Sequence, residues 1–392
     1  MQRVERYIII GDKNLDSLCF LSKNLYNYVN YLIRQEFTQS GKMLSEYEVT
    51  TRLAKEKQAD YIVLPSQTSQ QIVKLLFKNW KSFFKLCKCK GKLKGKPKLP
   101  KYKHKTKGRN IVVFTSQQCN LKDGYIHFPK KANIQPLRTK VTNLCQVRII
   151  PQCSCHIIEV VYEKECIKTI GLEPDSYLSI DLGLNNLVTS CDSLNHKSFI
   201  VNGRPLKSIN QYFNKKRALL MSYIGNRGTS NRIGKLTLKR NCKVNDYMHK
   251  ASRFIVNYCI EHHIGTIVIG NNKDWKQNCN MGKRNNQNFV SVPFEKLISM
   301  IQYKSEEVGI RVVITEESYT SKVDHYAGEE MCHHDSYLGK RIKRGLYRSS
   351  TGKILNADLN GAIGILRKVS HESYMQVVSR GGVETPSRIH LV

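Results

Sequence analysis

The chain has 392 residues, with 64 Lys and Arg against 31 Asp and Glu, a formal net charge of +33. Such an excess excludes an ordinary enzyme of small metabolites and points to a polyanionic partner, nucleic acid first. The 40% apolar content suffices for buried cores, no run reaches the roughly 18–20 apolar residues of a membrane span, and the charged start MQRVERYIII lacks a secretory leader's apolar core. The 13 cysteines are odd in number and scattered, which reads as reduced thiols in an intracellular protein without a membrane partner.

In chain order, YIII (7–10) reads as a strand. SLCFLSKNLYNYVNYLIRQEF (17–37) follows as a helix with Leu18, Leu21, Leu25, Val29, Leu32 and Ile33 at helical spacing. A second amphipathic helix covers 64–87, with Pro65 near its start; its Trp80, Phe83 and Phe84 read as core. From 61 to 122 there is no Asp or Glu. Inside that stretch, KCKGKLKGKPKLPKYKHKTKGRN (88–110) interleaves Lys with Gly and Pro, which break helices. Lys88, Lys90, Lys92, Lys94, Lys96, Lys98, Lys101 and Lys103 are candidate phosphate contacts, and a solvated linker is the plain alternative. Residues 111–165 switch to strand character, and 166–175 form a boundary. Beyond it come a strand–turn–strand (176–191), a strand (198–203), helices (207–225 and 245–264), an apolar strand (265–270), a helix (292–309), a strand (310–318) and a last helix (356–369). That order suits an RNase H-like mixed sheet flanked by helices. The tail beyond 370 carries no functional signal.

Three acids stand at the ends of separate elements. Asp181 closes an apolar strand, Asp358 opens the last helix, and Glu316 and Glu317 end the strand RVVIT. Taken singly, these are a turn cap, a first-turn helix acid and exposed strand-end acids. Alternation sends Glu316 and Glu317 to opposite faces, so one of them can share a site with Asp181. Together the acids form a carboxylate cluster that needs cations, and hard oxygen ligands select Mg²⁺ or Mn²⁺. Two such ions roughly 4 Å apart suit phosphodiester hydrolysis. The basic run KRIKRGLYRSS, with Lys340, Arg341, Lys343 and Arg344, precedes Asp358 and reads equally as a solvated loop or a phosphate clamp.

The ordered motifs GKPKLPKYK, SIDLGLNNLVT, LKSINQYFNKKRA, TIVIGNNKDWKQ, TEESYTSK and NADLNGA resemble the TnpB/Fanzor family across nearly the whole chain, with the short Fanzor branch nearest. The resemblance implies a mobile-element, RNA-guided DNA endonuclease with a RuvC-like nuclease domain. Asp181 would be its first acid and Asp358 its third. The family's usual second acid, a Glu ending the strand TIVIG, is Gly270 here. Glu317 before YTSK is the expected replacement, with Glu316 second. Many relatives carry two CxxC pairs before the third acid. Here only Cys332, His333 and His334, with Asp324 and His325 upstream, lie in that region, and their spacing does not suit a tetrahedral zinc site. Zinc is therefore not expected, and the CxC pairs Cys87/Cys89 and Cys153/Cys155 read as incidental.

The expected architecture is a multi-domain α/β protein. A small β-barrel-like, wedge-like domain (1–16 and 88–170) carries an inserted helical recognition domain (17–87). It precedes a RuvC-like RNase H domain (171–323 and 356–370), interrupted by an insertion (324–355) that resembles a degenerate zinc-finger, target-binding region; 371–392 form the tail. The partners implied are a guide RNA encoded near the gene and double-stranded target DNA, bound by a monomer, in the nucleus of a eukaryotic host or otherwise the cytoplasm. The rivals are a guided DNA-binding protein without cleavage and a guide-independent transposase.

Overall fold

The computed structural model describes all residues except 90–94, 167, 168, 170, 195–197, 226, 227, 273–281, 381–384 and 392. Two compact units divide the chain, Met1–Lys164 and Glu165–Val392, slightly ahead of the expected boundary at 170.

The first unit opens with strand β1 (Gln2–Ile9), then helices α1 (Lys13–Ser40), α2 (Glu46–Lys55), α3 (Ala59–Val63) and α4 (Ser66–Lys88). Asp12 starts α1 by accepting the Leu15 N–H at 2.9 Å, and Gly41 ends it in the left-handed region that glycine adopts without strain. Strands β2 (Val112–Thr115), β3 (Asn120–Lys122), β4 (Tyr125–His127), β5 (Leu137–Arg138), β6 (Leu144–Gln152) and β7 (Cys155–Glu163) complete the unit. The expected barrel is not closed among the described residues. The larger sheet runs β1-β7-β6-β2 and ends in two edges, and β3-β4-β5 form a separate small sheet. Nor is the helical segment packed as a separate body, because one core takes Leu25, Ile33, Leu76 and Trp80 from the helices with Phe114, Val147 and Val160 from the strands. Trp80 lies fully buried in it and donates its indole N–H to Asn30 Oδ1 at 3.1 Å, as a buried indole must.

The second unit is built on strands β8 (Glu173–Leu182), β9 (Asn186–Asp192) and β10 (Phe199–Asn202), then helices α5 (Arg204–Tyr223) and α6 (Asn231–Glu261), strand β11 (Ile264–Gly270), helices α7 (Lys283–Ser291) and α8 (Phe294–Val308), and strand β12 (Arg311–Thr315). There follow β13 (Lys340–Lys343), β14 (Leu346–Arg348), β15 (Ile354–Asn356), α9 (Ala357–Val369), α10 (His371–Arg380) and β16 (Ser387–Ile389). A six-stranded mixed sheet runs β12-β11-β8-β9-β10-β16. β11 is parallel to β8 and β12, β16 is parallel to β10, and β8-β9-β10 are antiparallel.

The two-residue period of the strands assigns their faces. Leu178, Ile180 and Leu182 of β8 and Ile267 and Ile269 of β11 pack with Met248, Ile255, Leu297 and Ile301 of α6 and α8. The alternate residues point at α9, where Ser179 donates to the Ala362 carbonyl at 2.8 Å. Leu359, Ile363 and Leu366 of α9 join Cys191 and Tyr374 in the core on that side. Two expectations are corrected here. Helix α6 begins far earlier than 245, because Ser230 caps it by accepting the Ile233 N–H. Strand β12 ends at Thr315, so 316 and 317 lie beyond it, just before the turn that starts at Ser318. Beyond 370, where the sequence carried no functional signal, α10 packs on α9, and β16 extends the sheet edge.

Candidate active site and nucleic-acid interface

Asp181 belongs to the face of β8 that looks at α9. Its side chain is approached so closely by Gly361 that a Cβ there would lie 2.9 Å from Asp181 Oδ2. The glycine is what lets the helix backbone come this near a carboxylate. Asp358 sits in the first turn of α9, behind the Asn356 cap, whose Oδ1 accepts the Asp358 N–H at 2.9 Å. Asn186, from the start of β9, donates to Asp358 Oδ2 at 2.7 Å, and an Arg341 Nη2 stands 3.9 Å from Asp358 Oδ1.

Glu317 and Glu316 behave differently, although the strand alternation invoked for them does not extend that far. Glu316 is exposed and accepts a hydrogen bond from the Ser318 hydroxyl. Glu317 turns inward, its N–H donating to Asn272 Oδ1 at 2.9 Å. A Cβ placed on Gly270 would come within 2.6 Å of Glu317 Oε1, 2.7 Å of its Cγ and 2.5 Å of Ile365 Cδ1. The carboxylate from the segment after β12 thus occupies the space that a side chain at the end of β11 would fill.

The electrostatics follow from this convergence. Burial, and then the charges of Glu317 and Asp358, push Asp181 well above the carboxylate range, against smaller opposing effects of the Leu182 amide and Arg341. Burial also raises Glu317 to about 7, with Lys368 opposing. Glu317 Oε1 is buried without a hydrogen-bond partner. Such an acceptor is costly unless protonated or bound by a cation. As placed, no three His, Cys, Asp or Glu side chains among the described residues make a ready metal cage, these acids included. The donor set, all hard carboxylate oxygens with one orphaned and two destabilised as anions, nevertheless fits Mg²⁺ or Mn²⁺ chemically.

Asp181 and Asp358 line a cavity of about 500 Å³ whose walls carry Arg204, Arg341, Arg344 and Arg388. Two of these belong to the basic run singled out in the sequence, with Lys340 and Lys343 exposed beside them on β13. Arg204 and Arg388 were not anticipated. One heads a helix and the other lies in the tail, and no local pattern announces that their elements end at this cavity.

The insertion folds as the three-stranded sheet β13-β14-β15 over a buried Tyr347, whose hydroxyl donates to the Lys322 carbonyl at 3.0 Å. Asp324 and His325, named beside the zinc question, are framework residues. Burial raises Asp324, but the Ser350 amide and the Ser349 and Ser350 hydroxyls outweigh it and hold the carboxyl below its ordinary range. Burial lowers His325 to about 4, and its Nε2–H donates to the Thr320 carbonyl at 2.7 Å. Cys332 Sγ lies 3.4 Å from His334 Nε2, and His333 packs edge-on to Tyr319.

In the first unit, Lys90, Lys92 and Lys94 lie outside the described residues. Lys88 closes α4. The segment 96–103 is neither helix nor strand, yet it is not a loose linker. Asn27 exchanges two hydrogen bonds with the Lys103 backbone at 2.9 and 2.8 Å, Asn30 donates to the Pro100 carbonyl at 2.9 Å, and Lys23 donates to the Lys105 carbonyl. With its backbone tied to α1, the segment presents Lys96, Lys98, Lys101 and Lys103 to solvent.

Residues 159–276 match the family model OrfB_IS605, described as a probable transposase, and 294–365 match the Cas12f1-like TNB domain. The TnpB-like protein ORF457 of Acidianus two-tailed virus is 26% identical over 415 residues, spanning 91% of this chain and 83% of that protein. A solved Cas12f1–sgRNA–target DNA complex is similar in fold, with a TM-score of 0.53 at 14% identity, covering 90% of this chain and 81% of that one. These findings bear out the motifs' resemblance to TnpB-type proteins. No helix among the described residues is long and apolar enough to cross a membrane.

Proposed function

We propose that the protein is an RNA-guided DNA endonuclease of the TnpB/Cas12f type, and that its second unit is a RuvC-like nuclease of RNase H architecture. One observation carries the reading. Acids from β8, the segment after β12 and the head of α9 act on one another, two of them beside an arginine-lined cavity. The mixed sheet, with antiparallel β8-β9-β10 and parallel β11 and β12, supports the architecture. Asp181, Glu317 and Asp358 would hold Mg²⁺ or Mn²⁺, which when bound supplies activation of water and stabilisation of the leaving oxygen. The chain's own residues do the rest. Asn186 and the Asn356 cap orient Asp358, Gly270 and Gly361 give Glu317 and Asp181 their places, and the arginines offer forked donors to phosphates.

The first unit and the exposed lysines would hold guide RNA and target, recognised largely by backbone and shape, with base pairing choosing the sequence. The 324–355 sheet would contact target nucleic acid, and the complex would be one chain with one RNA, intracellular. The Glu317-for-Gly270 exchange supports the short Fanzor branch.

The test begins with sequencing of the RNA that co-purifies with the chain, and continues with cleavage of matched DNA in Mg²⁺. Asp181→Ala, Asp358→Ala and Glu317→Gln are each expected to lower cleavage by at least about 100-fold while leaving RNA assembly intact, and Glu316→Gln to be mild. Full-rate cutting by Glu317→Gln would remove Glu317 from the site. A second reading, guided binding without cleavage, is favoured by Gly270, at the family's usual acid position; wild-type complex that binds matched DNA and never nicks it would decide for that reading. End joining by RNA-free protein would instead mark a transposase.

A further inference from the structure

Strand β16 lies parallel to β10, with Ile200 opposite Arg388 and the Ser387 N–H donating to the Ser198 carbonyl at 2.8 Å. Its alternation is divided between two tasks. Ile389 packs against the core under α6 and α8, which anchors the strand. Arg388 is exposed and lines the cavity of Asp181 and Asp358. Arg204 reaches the same cavity from the first turn of α5. That turn is brought in by Gly203, whose position leaves no room for a Cβ against the Leu184 carbonyl. If these guanidiniums served to neutralise the acids, they would pair with them. Among the described residues neither Arg204 nor Arg388 has a carboxylate within ion-pair distance, whereas Arg341 stands near Asp358. Two unpaired, forked cations beside buried acids are arranged for an anion that arrives from outside, and a phosphodiester suits their geometry.

We infer that Arg388, with Arg204 beside it, is a phosphate-binding residue of the nuclease site that grips the DNA backbone next to the scissile phosphate. The site would then be incomplete without β16. This inference rests on the nuclease reading, and its test separates the two. In single-turnover cleavage by the RNA-loaded chain at saturating DNA, Arg388→Gln should cut about 10- to 100-fold more slowly, with an unchanged thermal midpoint, and Arg388→Lys should recover part of the loss. A single methylphosphonate walked along the cut strand should slow the wild type at the gripped phosphate and slow Arg388→Gln no further there. Wild-type rates in Arg388→Gln, or equal added slowing at every position, would overturn the assignment. If the wild type does not cut at all, the nuclease reading falls, and the grip is then read from binding of an eight-nucleotide oligo-dT. There Arg388→Gln should reduce the slope of log affinity against log salt by about 0.7, and an unchanged slope would refute it.

Discussion

At residue scale, the site depends on two glycines and one displaced acid. Gly270→Ala would drive a methyl group into Glu317 Oε1 and Ile365 Cδ1. It should cost about 1–3 kcal/mol in unfolding free energy and lower cleavage, measured by denaturant melts and DNA nicking. The double variant Gly270→Glu with Glu317→Gly returns one carboxylate to the vacated space and should cut faster than Glu317→Gly alone. Equal rates would mean that the two positions do not address the same space. The raised pKa of Glu317 has a consequence with a definite sign. The unfolded chain releases this proton near 4.5, while the folded one keeps it to about 7, so between those values the folded state binds more protons. Stability in chelator therefore falls as pH rises through that window and levels off above it. Glu317→Gln should flatten the profile, and Mg²⁺ should raise the wild-type melting temperature more at pH 8 than at pH 5. Asp181 and Asp358 were legible in the sequence because each ends an element within a recognisable motif. Glu317 was preferred to Glu316 on the resemblance around YTSK; strand alternation ends at Thr315, and the structure adds that Glu317 fills the space over Gly270.

At the scale of elements, the insertion is fastened by buried carboxylates. Asp324 accepts from the Ser349 hydroxyl at 2.9 Å and from the Ser350 amide at 2.7 Å, and Glu329 accepts the Asp324 and Leu338 amides. Asp324→Ala should destabilise the second unit by about 2–4 kcal/mol, because several buried donors lose their partner, and Ser350→Ala should cost about 1 kcal/mol. Thermal melts of the two variants give the comparison, and near-equal costs would move the fastening elsewhere. Long periodic elements such as α1, α4, α8 and β11 were readable from hydropathy, since their buried faces repeat. The three-residue β16 was not, because so short a strand has no period. Helix α6 was half missed because its polar first half buries little more than Ile233 and Gly234.

For the whole molecule, the charge of +33 points to a polyanionic partner but does not say how the chain holds its cations. Part of that charge is mounted on a backbone tied down by Asn27, Asn30 and Lys23. Such mounting reduces the ordering entropy that binding would otherwise cost. Replacing Lys96, Lys98, Lys101 and Lys103 by Gln should weaken nucleic-acid binding and reduce its salt slope by about 3, read by titration across ionic strengths. Asn27→Ala with Asn30→Ala should weaken binding while leaving that slope nearly unchanged, since no charge is lost. Sequence could mark the lysines as a run without acids. It could not mark their anchor, since the asparagines stand some 70 residues away in the chain.

The exchange between positions 270 and 317 also restricts which neighbours in sequence space remain usable. Acquiring an acid at 270 first puts two bulky groups into one volume, and losing the one at 317 first leaves that volume empty. Either route back to the common arrangement passes through an impaired intermediate. If Glu317 serves as the second acid, as proposed, it is held at its place by mutual exclusion with a side chain at 270.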